Sequence, residues 1–301
     1  MSILKGGVGF FDSGIGGLNV LFACQPVLSR LPVYYYGDNA NAPYGNKSRE
    51  ELAPLIYKAF DLFAALEVQA VVIACNTVTA LFIDELSTRY PFPILGVVPA
   101  VRRAAEQGGE IFTLATTATI NSARMHALVR ETETEFSEAA IRLVACPLLA
   151  GEIENHILEQ GYDFTPFFPK GNPNSVVLGC THYTYLKKEI EDFYGCASYD
   201  GKDEAAKNLL QILPFFDPKT PSFSPRKQRA SLRRKCPLKT PVFSTKFTLK
   251  KTQKMQKVNS SQPLYFLGSG RFYNAQFYKQ MFVFKTNGRK VGKNSQKKPI
   301  F

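Results

Sequence analysis

Two short stretches 105 residues apart, Ala74-Cys75-Asn76-Thr77 and Gly179-Cys180-Thr181-His182, constrain this chain more than any other feature. Each closes an apolar, β-branched run, Ala70-Val71-Val72-Ile73 before the first and Ser175-Val176-Val177-Leu178 before the second. Runs of this length and composition predict buried strands. Each is followed by a helix-compatible segment, so each cysteine is expected at the carboxyl end of a parallel strand. That is where open α/β sheets place their ligands.

The rest of the chain supplies the frame. Val8-Gly9-Phe10-Phe11 predicts a first strand, ended by Asp12-Ser13-Gly14-Ile15-Gly16-Gly17, and Leu18 to Leu28 has helical spacing. Val33-Tyr34-Tyr35-Tyr36 predicts a second strand. Ser48-Arg49-Glu50-Glu51 has the form of a capping box opening a helix to about Leu66. The first cysteine strand follows, then a helix over about Thr79–Thr88 and a strand at Ile94–Val98. The plan then repeats. A helix from Ala100 leads to strand Ile111–Ala115 and Thr116-Thr117-Ala118-Thr119, then come a helix from about Asn121, strand Ile141–Ala145, a helix after Pro147 and the second cysteine strand. Alternating strands and helices predict parallel sheets covered on both faces. The turns at Asp12-Ser13 and Thr116-Thr117 lie 104 residues apart, close to the cysteine spacing, which suggests duplication of one α/β unit. Packed about a pseudo-twofold axis, two such units bring Cys75 and Cys180 across one cleft.

Charge divides the chain differently. Residues 1–217 hold all 25 acidic and 16 basic residues, a balance of −9; residues 218–301 hold 21 basic residues and no Asp or Glu. Residues 216–263 read as a basic, low-complexity insertion without regular structure. Leu264–Gly270 predicts a strand and turn before a Phe/Tyr-rich helix to about Phe282, and 285–301 reads as a basic tail. Three accounts of the basic part stand side by side. They are a solvated insertion, an anionic-surface or nucleic-acid contact through 218–262, and a shifted reading frame. No apolar run reaches the roughly 18 residues of a membrane span, no signal peptide opens the chain, and the cysteines form neither a disulfide framework nor a CxxC pattern. A cytoplasmic protein without membrane contact is expected.

A lone buried cysteine is ordinarily inert, and Cys24, Cys146, Cys196 and Cys236 are read so. Cys75 and Cys180 differ in their polar neighbours. Only a thiolate acts as base or nucleophile, and a helix N-terminus beside each is expected to lower its pKa. His182 stands two residues past Cys180, whereas His126 and His156 fall on predicted helices and are expected at the surface. The three histidines have no metal-site spacing. Gly14-x-Gly16-Gly17 is a poor dinucleotide fingerprint, and no P-loop sequence is present.

Phe11-Asp12-Ser13-Gly14-Ile15-Gly16-Gly17, Tyr36-Gly37-Asp38 with Pro43-Tyr44-Gly45, Ala74–Thr77 and Leu178–His182 together, in this order and spacing, resemble the glutamate racemases of the aspartate/glutamate racemase family. The resemblance covers about residues 6–213 and echoes at 266–282. It implies two pseudo-symmetric α/β domains, the first from 1–98 with 205–215 and 264–284, the second from 99–204, with the active site between them. It implies cofactor-independent, metal-free interconversion of L- and D-glutamate for peptidoglycan synthesis, with Cys75 deprotonating the D- and Cys180 the L-enantiomer. Asp12 and His182 would assist the proton transfers, and Glu154 would orient His182. Substrate would be held by Asp12, Ser13, Pro43, Tyr44, Gly45, Asn76, Thr77, Thr116, Thr117, Thr119, Thr181 and His182. A homodimer is expected because family members commonly dimerise. An aspartate racemase, or a nucleic-acid-binding protein acting through the basic segment, are the alternatives.

Overall fold

The computed structural model describes residues 6–28, 31–212, 253–255 and 264–268. The expected helix after Gly270, to about Phe282, the basic tail, Cys236 and most of the basic insertion lie outside these residues. Among the described residues ten strands form two sheets. The first is built from β1 (Val8–Asp12), β2 (Val33–Gly37), β3 (Ala70–Ile73), β4 (Ile94–Gly96), β9 (Gln253–Met255) and β10 (Leu264–Gly268), in the order β4-β3-β1-β2-β10-β9. The second holds β5 (Gly109–Ala115), β6 (Ala139–Ala145), β7 (Ser175–Leu178) and β8 (Ala197–Tyr199), in the order β6-β5-β7-β8. Every pairing is parallel except β9 against β10.

Read outward from β4 and from β8, the two sheets share one topology: β4-β3-β1-β2 matches β8-β7-β5-β6. The duplication suggested by spacing is therefore present in strand order. Register corrects one detail. Val8 pairs Ala70 and Ile111 pairs Ser175, so the first strands are offset by 111 − 8 = 103 and the cysteine strands by 175 − 70 = 105. Both strands end at matching points, Asp12 and Ala115, so Ser13 matches Thr116, one residue from the expected correspondence.

Local sequence explains the elements. β1, β2, β3 and β7 are buried along their whole length, as continuous apolar strands covered on both faces must be. Successive side chains alternate across the sheet. Phe10 joins the core shared with Phe112, Leu114 and Ile153 of the second unit, while Phe11 joins Phe60 and Phe63 of the helix behind. That helix, α2 (Arg49–Ala65), opens on the expected capping box: Ser48 Oγ accepts from Glu51 N, and Glu51 accepts from Ser48 N. Tyr265 stacks on Tyr34 at 5.1 Å, adding β10 to the sheet through both its ladder and its ring. Finally α9 (Lys202–Ile212) returns to α1 (Leu18–Leu28), burying Ala205 and Leu209 in the core that holds Leu21 and Cys24.

Four expectations change. The helix after Cys75, α3, runs Asn76–Arg89 and so starts on the cysteine itself rather than near Thr79. The helix expected from Asn121 is two, α5 (Thr117–Ile120) and α6 (Ala123–Glu135), because Thr116 and Ser122 each supply an N-cap. Gln253–Met255, inside the segment read as irregular, pairs with β10. Strand β8 was not anticipated; its three residues carry one buried side chain, too little pattern to read. The remaining helices are α4 (Val101–Ala105), α7 (Leu149–His156) and α8 (Lys187–Tyr194). Among the described residues no helix is long and apolar enough to cross a membrane.

Candidate active site

The carboxyl ends of β1, β3, β5 and β7 meet between the units. Cys75 is the N-cap residue of α3, with β-region dihedrals, so its side chain leaves the sheet where the strand stops and the helix begins. Cys180 differs. A 3-10 turn over Tyr183–Leu186 follows it, and α8 begins only at Lys187, so no α-helix N-terminus abuts this thiol. Its partner is instead His182, whose Nδ1 lies 3.7 Å from the Cys180 sulfur. Both thiols are buried, and Cys75 feels the charge of Cys180.

The electrostatics are set by burial. Desolvation, reinforced by the Asp12 charge, pushes the Cys75 thiol up to about 12. The nearby Val78 amide and Ser13, whose hydroxyl lies 3.8 Å from the sulfur, pull the other way without prevailing. The expected lowering by a helix N-terminus is therefore reversed at Cys75. Asp12 is also raised by burial, to about 6, against the opposing pull of His182 and the Gly14 amide. Burial disfavours a charged His182, yet its hydrogen bonds to Cys180 and Glu154 and the Glu154 charge together hold its pKa well above 6.5. Glu154, on α7, accepts from His182 Nε2 at 2.6 Å and from the backbone N–H of Ile15 at 2.7 Å. Glu154, His182 and Cys180 thus form a relay in which a carboxylate fixes an imidazole that faces a sulfur, the arrangement by which an oriented base serves a reacting thiol.

Around the thiols the expected residues converge. Thr181 Oγ1 donates to Asp12 Oδ2 at 3.2 Å, joining the two cysteine turns. The Thr77, Thr116 and Thr119 hydroxyls form a ring, with separations of 2.9, 3.3 and 2.9 Å. Gly45 closes on this ring: its carbonyl accepts from the Ala118 N–H, and a Cβ at Gly45 would lie 2.4 Å from Thr116 Cβ. Gly16 is held as tightly, since its Cβ would lie 2.4 Å from Thr181 Oγ1 and 2.6 Å from His182 Nδ1. Pro43 reaches across to Gly151 of α7, and Tyr44 is buried with its hydroxyl on Asp38 Oδ2 at 2.5 Å. Asn76 Nδ2 is buried with no hydrogen-bond partner among the described residues. Thr117 opens α5, half-buried beside the threonine ring.

Other side chains act here that motif reading did not single out. Three buried groups hold the carbonyls of the glycine turn: Tyr35 on Gly14, Tyr185 on Ile15 and Asn19 on Gly16. Asn41 donates to both oxygens of Asp38. A lone amide in the otherwise apolar first turns of α1 was the available signal for Asn19. His126 is exposed as expected, whereas His156 is half-buried, stacked on Tyr162 at 4.2 Å and paired with Glu159. An open cavity of about 180 Å³ lies behind Asn76 and Thr119, lined by Val97, Arg124, Met125 and Leu128. Neither cysteine lines it; the acid, imidazole and thiols meet instead in a separate buried cluster.

Fold and site together define a duplicated α/β protein with paired thiols at matching strand ends. The Asp/Glu/hydantoin racemase family model matches residues 23–209, and the chain belongs to that family. It is 33% identical over 224 residues to glutamate racemase 2 of Bacillus subtilis, a match covering 68% of this chain and 81% of the relative. It is 37% identical over 203 residues to glutamate racemase of Clostridium botulinum strain Okra, covering 64% and 77%. Among solved structures, the Francisella tularensis glutamate racemase in complex with D-glutamate aligns with a TM-score of 0.59 at 28% identity, over 70% of this chain and 82% of that one. The Escherichia coli glutamate racemase in complex with L-glutamate and an activator gives 0.61 at 28%, over 74% and 87%.

Proposed function

We propose that this chain interconverts L- and D-glutamate without a cofactor, by proton transfer between Cys75, Cys180 and the substrate α-carbon, and so supplies D-glutamate for peptidoglycan. The observation that carries the reading is the pair of buried thiols at equivalent strand ends of a duplicated unit, each with its own acid–base neighbour: Asp12 beside Cys75 and His182 with Glu154 beside Cys180. In the L-to-D direction the Cys180 thiolate takes the α-proton and becomes a thiol. The Cys75 thiol gives its proton to the opposite face of the carbanion and becomes a thiolate. Proton and charge balance, and the reverse direction exchanges the roles.

The α-proton of an amino acid is weakly acidic, so the site must stabilise developing negative charge with donors already in place. The unpartnered Asn76 amide, Ser13, and the Thr77, Thr116 and Thr119 hydroxyls offer such donors to carboxylate oxygens. A cationic His182 supports a sulfur anion at Cys180. At Cys75 the thiol form is favoured at neutral pH, matching a proton donor in the L-to-D direction. The substrate ammonium brings the positive charge that lets Cys75 ionise in the other direction. Asp12 and Thr181 face that group.

The test is α-proton exchange with D2O for each glutamate enantiomer, with aspartate assayed alongside and no cofactor added. Exchange and racemisation of glutamate are expected, and Cys75→Ser or Cys180→Ser should each abolish racemisation. Absence of exchange with both glutamate enantiomers, or full activity in either variant, overturns the two-thiol mechanism. The same reading expects a homodimer, measured by light scattering. It leaves the basic segment a separate role, for which salt-sensitive DNA binding lost on deleting 218–262 is the supporting result.

A further inference from the structure

The second cysteine turn lacks the helix N-terminus that anchors the first, so something else must fix its backbone. Asn19, in the first turn of α1, does this from the opposite unit. Its side chain is 1% exposed, and Nδ2 donates to Thr181 O at 3.1 Å and to Gly16 O at 3.2 Å. One amide nitrogen thereby ties the glycine turn after β1 to the residue between Cys180 and His182. Thr181 is gripped twice, by its carbonyl here and by its hydroxyl on Asp12. The cost of the arrangement is visible on the same side chain: Asn19 Oδ1 is buried with no hydrogen-bond partner among the described residues. A buried acceptor left so is destabilising. A leucine of similar size would avoid that cost but provide no donor.

We propose that Asn19 is a positioning residue that clamps the Cys180–His182 turn against the glycine turn, setting the Cys180 sulfur for proton transfer while leaving Cys75 untouched. Its two acceptors explain the residue type. Two carbonyl oxygens need a nitrogen bearing two hydrogens, which Asp lacks, Leu lacks, and a hydroxyl supplies only once. The clamp also crosses from α1 to the second unit, beside the packing of α9 on α1, so it acts where the units could otherwise shift.

This inference rests on the glutamate reading for its kinetic test. Asn19→Leu and Asn19→Asp are compared with the wild type in both directions, using glutamate deuterated at the α-carbon. Loss of alignment at one sulfur should lower kcat roughly tenfold with KM little changed. The isotope effect should rise for L-glutamate, whose proton Cys180 removes, and fall for D-glutamate, where Cys75 acts first and the later Cys180 step becomes limiting. Hydrogen exchange over 179–183 should quicken in both variants while β3 stays protected. Isotope effects that are unchanged, or that rise together, overturn the proposal. If Asn19→Leu does not fold, Asn19→Asp and Asn19→Ser, which preserve or reduce bulk, carry the same comparison. An inactive wild type would defeat the glutamate reading alone. The clamp would then stand or fall on whether exchange over 179–183 changes.

Discussion

Replacing Glu154 by Gln removes one charge from a buried relay and keeps its shape. Glu154 Oε1 receives two hydrogen bonds, from His182 Nε2 at 2.6 Å and from Ile15 N at 2.7 Å, and Oε2 receives one from Asn39 at 3.3 Å. An amide can keep Oε1 on the first two donors, but its NH2 then faces the Asn39 NH2. Turning the amide over sets a donor against Ile15 N–H instead. The larger loss is electrostatic. A hydrogen bond to a charged group is worth about 1.5–3 kcal/mol, and at 1.36 kcal/mol per pH unit this moves the His182 titration down by roughly one to two units. If that energy serves the transition state in which Cys180 bears charge, kcat falls roughly 10- to 100-fold.

The assay pairs an NMR titration of the His182 ring with racemisation rates across pH. A histidine whose pKa is raised on folding adds stability that is fully present below its ordinary value of 6.5 and is lost as pH rises through the folded value. The wild type should therefore lose stability on the alkaline side, and Glu154→Gln should flatten that loss. Denaturant midpoints at acid and alkaline pH measure it. A His182 titration that does not move in Glu154→Gln would refute the relay, whatever the variant's activity.

Asp12, raised to about 6 by burial, should give the free enzyme an acid limb in kcat/KM near that pH, and Asp12→Asn should remove it. The folded state holds this proton between 3.8 and about 6 while the unfolded chain releases it, so stability falls as pH rises through that window. The drop is roughly 3 kcal/mol at 1.36 kcal/mol per pH unit, and denaturant titration of Asp12→Asn should lack it. Gly45→Ala places a methyl 2.4 Å from Thr116 Cβ, so the loop must withdraw from the threonine ring. KM for glutamate should rise roughly tenfold while the melting temperature changes little; an unchanged KM would show that the ring does not hold substrate.

The sequence displays the parts of this molecule that depend on neighbours along the chain. Continuous apolar runs mark β1, β3 and β7 because strands covered on both faces need them, and the Ser48–Glu51 box marks the start of α2 because both of its bonds are local. The nearly equal offsets of the first strands and the cysteine strands report the duplication because each repeats one unit's path. What fails to show are properties created by the meeting of the units. Cys75 sits on a helix N-terminus, which alone would acidify it, yet its burial and the Asp12 charge beside it raise the thiol to about 12. Asn19 looks like a stray polar residue in a largely apolar helix until Thr181, 162 positions away, is placed against it. Glu154 gains its role from His182 and Ile15 together. The local pattern therefore names the candidate reacting groups, and their burial sets the protonation of Cys75 and Asp12. A variant that loosens the interface without touching either cysteine should alter the pH profile before it alters the fold.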